Sequence, residues 1–368
     1  MRGAGFKIGR ILGIPIYLHS SWFLIFALIT YQFGSEFNGV NPNWTPAQGW
    51  ALGLLTSALF FGSVLFHELS HSVVAIRYRI PVASITLFFF GGVARISREP
   101  DRPGQEFLIA VAGPVSSYFL AGCFWLLATF APRASMAGAL GTQLWWINAM
   151  LATFNLVPGF PLDGGRILRS IIWGITRNYT RSTRISARAG QVIAYGMMGL
   201  GMWEAVQGYL GGRDVLGGLW LVFIGWFLLT VARQSYAQVA ARGALEGLRV
   251  SDIMTSDMPT IARDISLEEY AREVARTGRR AHLVLASGQL VGLMSVQAVM
   301  LSRDGLPLAA PEDSAIDLLD RMRSSNVDQM AVINGGNVIG MVTRDSILRV
   351  VQTRNDLGHV TPATRGQS

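Results

Sequence analysis

At 368 residues the chain exceeds what one ordinary hydrophobic core holds together, so two or more units are expected. Apolar residues make up 51 % and charged residues only 15 %, which excludes an ordinary soluble protein over the whole length. The net charge of +8 comes from basic residues clustered between apolar runs, a pattern of membrane-protein loops rather than of nucleic-acid binding, so no nucleic-acid partner is expected.

Residues 1–13 are short and basic, with Arg2, Lys7 and Arg10, and show no cleavable signal pattern. Ile14 to Phe33 is the first run of near-spanning length, with Tyr17, Trp22 and Tyr31 suited to the interface and His19 read as an interfacial histidine. Gly34 to Gln48 has no Lys or Arg and reads as an outside loop. Ala51 to Ile76 is the second span, ending at Arg77 and Arg79. Inside it stands Phe66-His67-Glu68-Leu69-Ser70-His71. On a helix, His67 and His71 project from one face, the spacing two zinc ligands need, and Glu68 stands where a carboxylate can take a proton from a metal-bound water. The bland alternative is a pair of satisfied core histidines. Three such side chains within an apolar run favour a functional site, about 15 Å below the Arg77 surface at 1.5 Å per residue.

Pro81 to Ser97 does not read as a helix. Ser84 to Phe90 is β-branched and aromatic, Gly91-Gly92 is a turn signal, and Val93 to Ile96 follows, which together predict a hairpin along the inner face. Glu99 to Glu106 is charged, and Phe107 to Phe130 is the third span, with Gly113-Pro114 as a break near its start. Cys123 lies within it as inert packing; as the chain's one cysteine it excludes an intrachain disulfide. Pro132 to Gly141 is an outside loop. Leu144 to Val157 opens the fourth apolar segment and runs into Asn155 through Gly165, where two prolines and three glycines predict a non-helical stretch that leaves Asp163 free to turn toward His67. A further apolar patch, Ile167 to Ile175, follows. Arg166, Arg169, Arg177, Arg181, Arg184 and Arg188 mark the next connection as inside. Ala189 to Leu210 and Val215 to Val231 are the fifth and sixth spans, parted by Arg213 and Asp214; Gly196, Gly199 and Gly201 line the fifth and permit close packing.

Basic residues thus alternate from loop to loop. The expected fold is a polytopic α-helical membrane protein of about six spans with a short membrane-associated β-hairpin, both termini cytoplasmic, in the plasma membrane. From Arg249 the character changes to a soluble α/β domain that repeats itself. Val284 to Leu293 matches Val332 to Met341 without a gap, at an offset of 48 residues. Each copy reads helix (Ser266 to Thr277; Ala315 to Ser324), strand, hairpin, strand, short helix. The expected organisation is a membrane domain 1–235, a linker 236–248, repeats 249–304 and 305–353, and a disordered tail 354–368 that includes His359.

Through His67-Glu68-Leu69-Ser70-His71 and the Asn155-Leu156-Val157-Pro158 to Leu162-Asp163-Gly164 element, residues 1–235 resemble the site-2 protease family of intramembrane zinc metalloproteases. Gly91-Gly92 and Gly113-Pro114 are weaker family features. The resemblance implies one zinc per chain, Asp163 as third ligand beside His67 and His71, Glu68 as catalytic base, and Asn155 holding substrate or the developing oxyanion. By composition alone Asp163 is equally a turn-forming residue before Gly164-Gly165. The implied activity is hydrolysis of a peptide bond in or near a transmembrane segment of a membrane-protein substrate, as in regulated intramembrane proteolysis. The repeat resembles a tandem pair of CBS domains, through Ile253-Met254-Thr255 and Gly340-Met341-Val342-Thr343, and implies a homodimer through that pair. CBS pairs often bind adenine nucleotides through Thr or Ser followed three residues later by Asp. Here Ser295 and Thr343 are followed by Ala298 and Ser346, and Asp345 is one residue early, so a structural or dimerising role stands at least level with nucleotide binding. Rival readings are a CBS-regulated transporter or channel, with the buried His, Glu and Asp as an ion relay, and a zinc-binding pseudoprotease scaffold.

Overall fold

The computed structural model describes residues 5–360 apart from 41–42, 133, 213, 257–259, 278–280, 287–288, 296–300, 303–307, 326 and 336. Contacts divide the chain into two compact units that part between Ala237 and Gln238.

The first unit opens with a hairpin, β1 (Gly5–Ile11) and β2 (Ile14–His19), in place of the start of a membrane span. Ile14, Ile16 and Leu18 are buried while Pro15, Tyr17 and His19 are half-buried; this period of two is a strand's. Leu12 and Gly13 in the turn both take positive φ, 51° and 81°, as a two-residue turn matched to strand twist requires. Helix α1 (Ser20–Val40) follows. Helix α2 (Pro46–Arg77) begins at a capping box between Thr45 and Gln48 with Pro46 in its first turn, an arrangement worth about 1 kcal/mol.

Strands β3 (Val82–Phe88) and β4 (Gly91–Ile96) form the expected hairpin, but its turn is Phe89-Phe90, and Gly91-Gly92 begins the return strand. It joins the first hairpin through a parallel pairing of Ile16 with Ile85, in a four-stranded sheet of order β1-β2-β3-β4. The buried face, Ile14, Ile16 and Ile85, lies on Leu65 and Leu69 of α2. That contact sets the sheet against the helical turn that carries the two histidines.

Helix α3 (Pro103–Phe130) runs through Gly113-Pro114, where a break was expected. Then come α4 (Met136–Asn155), α5 (Asp163–Thr176), α6 (Tyr179–Leu210) and α7 (Leu216–Leu245). Among the described residues three helices are long and apolar enough to cross a membrane, α2, α3 and α7, where the sequence pattern predicts six spans. The predicted first span is divided between β2 and α1. Large apolar side chains stay exposed on the long helices, among them Leu54, Leu55, Phe119, Trp125 and Trp226, as lipid-facing surfaces require. Of the three glycines expected to allow close packing on α6, Gly201 does so: a Cβ there would stand 2.6 Å from the Gly218 oxygen of α7, whereas Gly196 and Gly199 face open space.

The second unit carries two copies of one strand, helix and hairpin pattern, the first with an added strand. A short helix α8 (Val250–Ile253) precedes β5 (Thr260–Ala262), α9 (Leu267–Thr277), β6 (Ala281–Ala286), β7 (Gln289–Ser295) and β8 (Leu301–Ser302); then β9 (Leu308–Ala309), α10 (Ala315–Ser324), β10 (Gln329–Asn334), β11 (Asn337–Thr343) and α11 (Arg344–Val360). Adding 48 to the limits of β6 and β7 gives those of β10 and β11. Val250 and Ile253, at the head of the first copy, pack in the core of the second with Leu318, Met322, Val332 and Val342. Thr255 likewise exchanges backbone hydrogen bonds of 2.9 Å with Met341. Helix α11 includes residues 354–360, which the sequence pattern assigns to a disordered tail; 361–368 lie outside the described residues.

Candidate active site

Helix α2 supplies two histidines one turn apart. The Nε2 atoms of His67 and His71 are 3.1 Å apart, and each residue is 4 % exposed. Asp163 comes from the far side of the sequence. Pro158 and Pro161 end α4, Leu162 is extended, and α5 starts at Asp163, so this residue sits in a helical first turn rather than on a non-helical stretch. A carboxylate is favoured there by the backbone dipoles. Its Oδ2 lies 3.0 Å from His67 Nε2 and 3.1 Å from His71 Nε2.

The outer ring nitrogens decide what this cluster can hold. His71 Nδ1 is 2.6 Å from the carbonyl oxygen of Ile109 on α3, which can only accept, so Nδ1 carries the proton and neutral His71 turns the Nε2 lone pair inward. His67 Nδ1 is 2.9 Å from Ser117 Oγ, on the same helix. The Ser117 hydroxyl can accept from Nδ1 of His67, and in that tautomer three electron-pair donors face one another in a buried space, an arrangement that repels itself unless a cation or a proton lies among them. Ligand atoms around a tetrahedral zinc with bonds of about 2.0–2.1 Å stand about 3.3–3.4 Å apart, close to the spacing seen. Gly113 completes the fit. A Cβ there would meet His71 Nε2 at 2.2 Å and His67 Nε2 at 2.5 Å, so α3 can approach the ring nitrogens only with glycine at this position. The residues fit a zinc ion.

Glu68 stands outside the ring. Its Oε2 accepts from the Ala94 N–H of β4 at 3.2 Å. Gly92 leaves room for it, since a Cβ there would lie 2.5 Å from Glu68 Cγ. His67, Glu68 and Asp163 line one cavity of about 600 Å³, whose walls are apolar and aromatic, including Phe60, Val64, Phe154, Phe227 and Leu228. Asn155, the last residue of α4, lines it too, and its Nδ2 donates to the Leu151 carbonyl at 3.0 Å. His19 is not part of this group; it accepts from the Ser21 N–H at the start of α1.

The sequence reading missed Ile109, Ser117 and the glycines' exact use, and it placed Arg169 in a connecting loop. Arg169 is buried on α5 and paired with the fully buried Glu106 of α3. A signal was available: Glu106, Ile109, Gly113 and Ser117 follow one another at steps of three, four and four along an otherwise apolar helix, which is one stripe.

In the second unit, Thr343 and Ser346 close on each other at the start of α11: each backbone N–H donates to the other's hydroxyl, at 3.1 and 3.0 Å. Ser346 also borders a cavity of about 370 Å³ with Asp252, Thr255, Arg349 and Arg354. Of the matching positions in the first copy, Ser295 ends β7 and Ala298 lies outside the described residues.

Comparison with known proteins assigns both units to families. The family model for peptidase family M50 matches residues 55–145 and 133–197, and that for the CBS domain matches 250–303 and 299–353. The chain is 33 % identical to the protein sll0528 of Synechocystis sp. over 94 % of its own length and 95 % of the relative's. It is 32 % identical to Rip3 of Mycobacterium tuberculosis over 94 % and 92 %. Both relatives are named as zinc metalloproteases. Among solved structures it is similar to the site-2 protease from Methanocaldococcus jannaschii, at 29 % identity and a TM-score of 0.44, over 63 % of this chain and 95 % of that one. With its apolar helices, its His-Glu-x-x-His helix and its paired C-terminal repeats, the chain belongs to peptidase family M50, the site-2 protease family of membrane-embedded zinc metalloproteases, with a tandem pair of CBS domains.

Proposed function

We propose that His67, His71 and Asp163 hold the zinc ion and that Glu68 is the general base for hydrolysis of a peptide bond in a membrane-protein substrate. The observation that carries this is the inward-facing ring of three donors with a separate carboxylate beside it on the wall of the same cavity. Zinc, when bound, supplies a Lewis acid that polarises the scissile carbonyl and lowers the pKa of water. Glu68 takes the proton of the attacking water and hands it to the leaving amine. The Ala94 N–H holds the carboxylate in place between these two transfers. Asn155, at the cavity wall, binds the substrate backbone or the developing oxyanion.

A helical substrate hides its backbone in hydrogen bonds and must unwind to be cut. The outer edge of β4 is unpaired among the described residues, and its Ala94 N–H points toward Glu68 rather than toward β3. A substrate strand added along that edge passes the base. Helix-breaking residues near the cut site are then expected to raise the cleavage rate, and equal cleavage of a fully helical Ala/Leu-rich segment refutes strand addition.

The alternation of basic loops supports six spans in the plasma membrane with both termini in the cytoplasm. The same sequence pattern supports domain limits of 1–235, 249–304 and 305–353. Homodimerisation through the CBS pair is the role we assign to the second unit, because Thr343 and Ser346 are engaged in capping α11.

The test is zinc content of the detergent-purified chain beside cleavage of a membrane-protein substrate. The wild type is expected to hold about one zinc, Asp163→Ala to lose it, and Glu68→Gln to keep it while cleavage falls by about 10³-fold or more. Zinc absent from a folded, zinc-supplied wild type refutes the metal site. Cleavage that survives Glu68→Gln refutes the base, and an ion relay is favoured instead by a folded chain that holds no stoichiometric zinc.

A further inference from the structure

Six residues beyond Asp163 on α5, Arg169 is buried among three other elements. Its Nε donates to Glu106 Oε1 at 2.7 Å, and its Nη2 meets the same oxygen. Its guanidinium carbon lies 4.9 Å from the centre of the Phe160 ring, in the loop before Asp163, and 4.7 Å from that of Tyr179, at the start of α6. Glu106 has no exposure and Arg169 only 7 %. Neither charge touches the metal ligands or the cavity wall, so the chemistry proposed above does not use them.

We propose that the Glu106–Arg169 pair is a positioning clamp that sets the register of Asp163 against His67 and His71. Helices α3 and α5 meet at two places. At one they meet through α2: Gly113 of α3 lies beneath the His67 and His71 ring nitrogens, and Asp163 of α5 faces those same nitrogens. At the other, Glu106 binds Arg169. The two points are seven residues apart on α3 and six on α5, about 10.5 and 9 Å along their axes. Two fixed points on each helix remove the freedom to slide or swing that one contact leaves. Helix α3 also orients both histidines, through Ile109 and Ser117. Clamping α5 to α3 therefore ties the third ligand to the element that already holds the other two. The ring stacking adds the loop before Asp163 to the same anchor. A planar guanidinium suits this place, since it can bond a carboxylate at its edge while its face lies against aromatic rings.

This inference rests on the zinc-site reading, and the test separates the two. Cobalt(II) is titrated into the full-length, metal-stripped protein in detergent, and the visible spectrum reports ligand number and geometry. Arg169→Met and Glu106→Gln are expected to bind cobalt about tenfold or more weakly, with an altered spectrum. Arg169→Lys, which keeps the charge, is expected to recover part of the affinity but not the wild-type spectrum. The double variant Glu106→Gln/Arg169→Met leaves no lone buried charge, so it retains the fold even if either single variant fails to; it too is expected to show the altered spectrum. A folded double variant with wild-type affinity and spectrum overturns the clamp. A folded wild type that binds neither cobalt nor zinc overturns the metal site, and the clamp with it.

Discussion

Two buried polar clusters stand about two helical turns apart where α3 meets α5, and they differ in one respect. Glu106 and Arg169 balance each other: one negative and one positive group, joined by hydrogen bonds and flanked by rings. His67, His71 and Asp163 do not balance. Each turns a ligand atom to the same space, and the proton of His71 is committed outward to Ile109. A buried cluster whose opposite charges neutralise each other has a structural task, even though Glu106 Oε2 keeps no hydrogen-bond partner of its own among the described residues, whereas one whose ligand atoms all turn to one space is a binding site. The helix between them serves both with four residues of one stripe, and the size of those residues matters as much as their polarity.

That contrast is broken most severely at Gly113. In a helix interior alanine is favoured over glycine by about 1 kcal/mol, so Gly113→Ala is stabilising if the position is free. Here the added Cβ would lie 2.2 Å from a ligand nitrogen. The expected outcome is loss of the zinc and a fall in cleavage of at least roughly 10²-fold, the scale on which displacement of a site by about 1 Å acts. Gly122→Ala on the same helix meets no atom within 4 Å and is expected to keep both. Zinc analysis and a cleavage assay on the two variants decide it; equal behaviour of the pair would mean that α3 does not approach the histidines this closely.

What was legible in the sequence is what a few consecutive residues determine. His67 and His71 need only a helix to share a face, and the 48-residue repeat is built from local hairpins. Asp163 was harder. Gly164 and Gly165 read as helix breakers, yet they lie in the first turn of α5, where a Cβ at Gly164 would stand 2.2 Å from the Leu156 oxygen and one at Gly165 2.4 Å from the Gly159 carbonyl carbon. Close approach, not flexibility, selects glycine there. The run from Ile14 to Phe33 is apolar apart from His19-Ser20-Ser21, Thr30 and Gln32, so its overall hydrophobicity hides the change from period two to period 3.6 at that polar triplet. Arg169 reads as a loop cation from the sequence because its partner is 63 residues away, and the stripe on α3 marks Glu106 without naming the residue it pairs with.

A smaller effect is expected at Gly92, which spares the base rather than the ligands. The Cβ of Gly92→Ala would lie 2.5 Å from Glu68 Cγ, in the middle of a flexible side chain that can shift. The carboxylate then leaves the Ala94 N–H. Cleavage is expected to drop by roughly 10- to 100-fold with about one zinc still bound. Zinc lost together with activity would mean that Glu68 and the metal ligands move as one body, which the distinction between base and ring denies.

The smallest effect is expected where the ring is supported from outside. His71 leans on a backbone carbonyl, which no substitution removes, but His67 leans on the Ser117 hydroxyl at 2.9 Å. Groups of this kind fix ring orientation and typically contribute 10- to 100-fold in metal affinity. Because one histidine keeps its backbone partner, Ser117→Ala is expected at the low end, about tenfold, measured by competition with a chelator, with stoichiometry near one at saturating zinc. Ser117→Thr keeps a hydroxyl and tests whether the loss comes from the hydrogen bond or from packing. If alanine and wild type compete equally for zinc, the orientation of His67 comes from its place on α2 alone, and α3 contributes to this ligand only the space that Gly113 leaves.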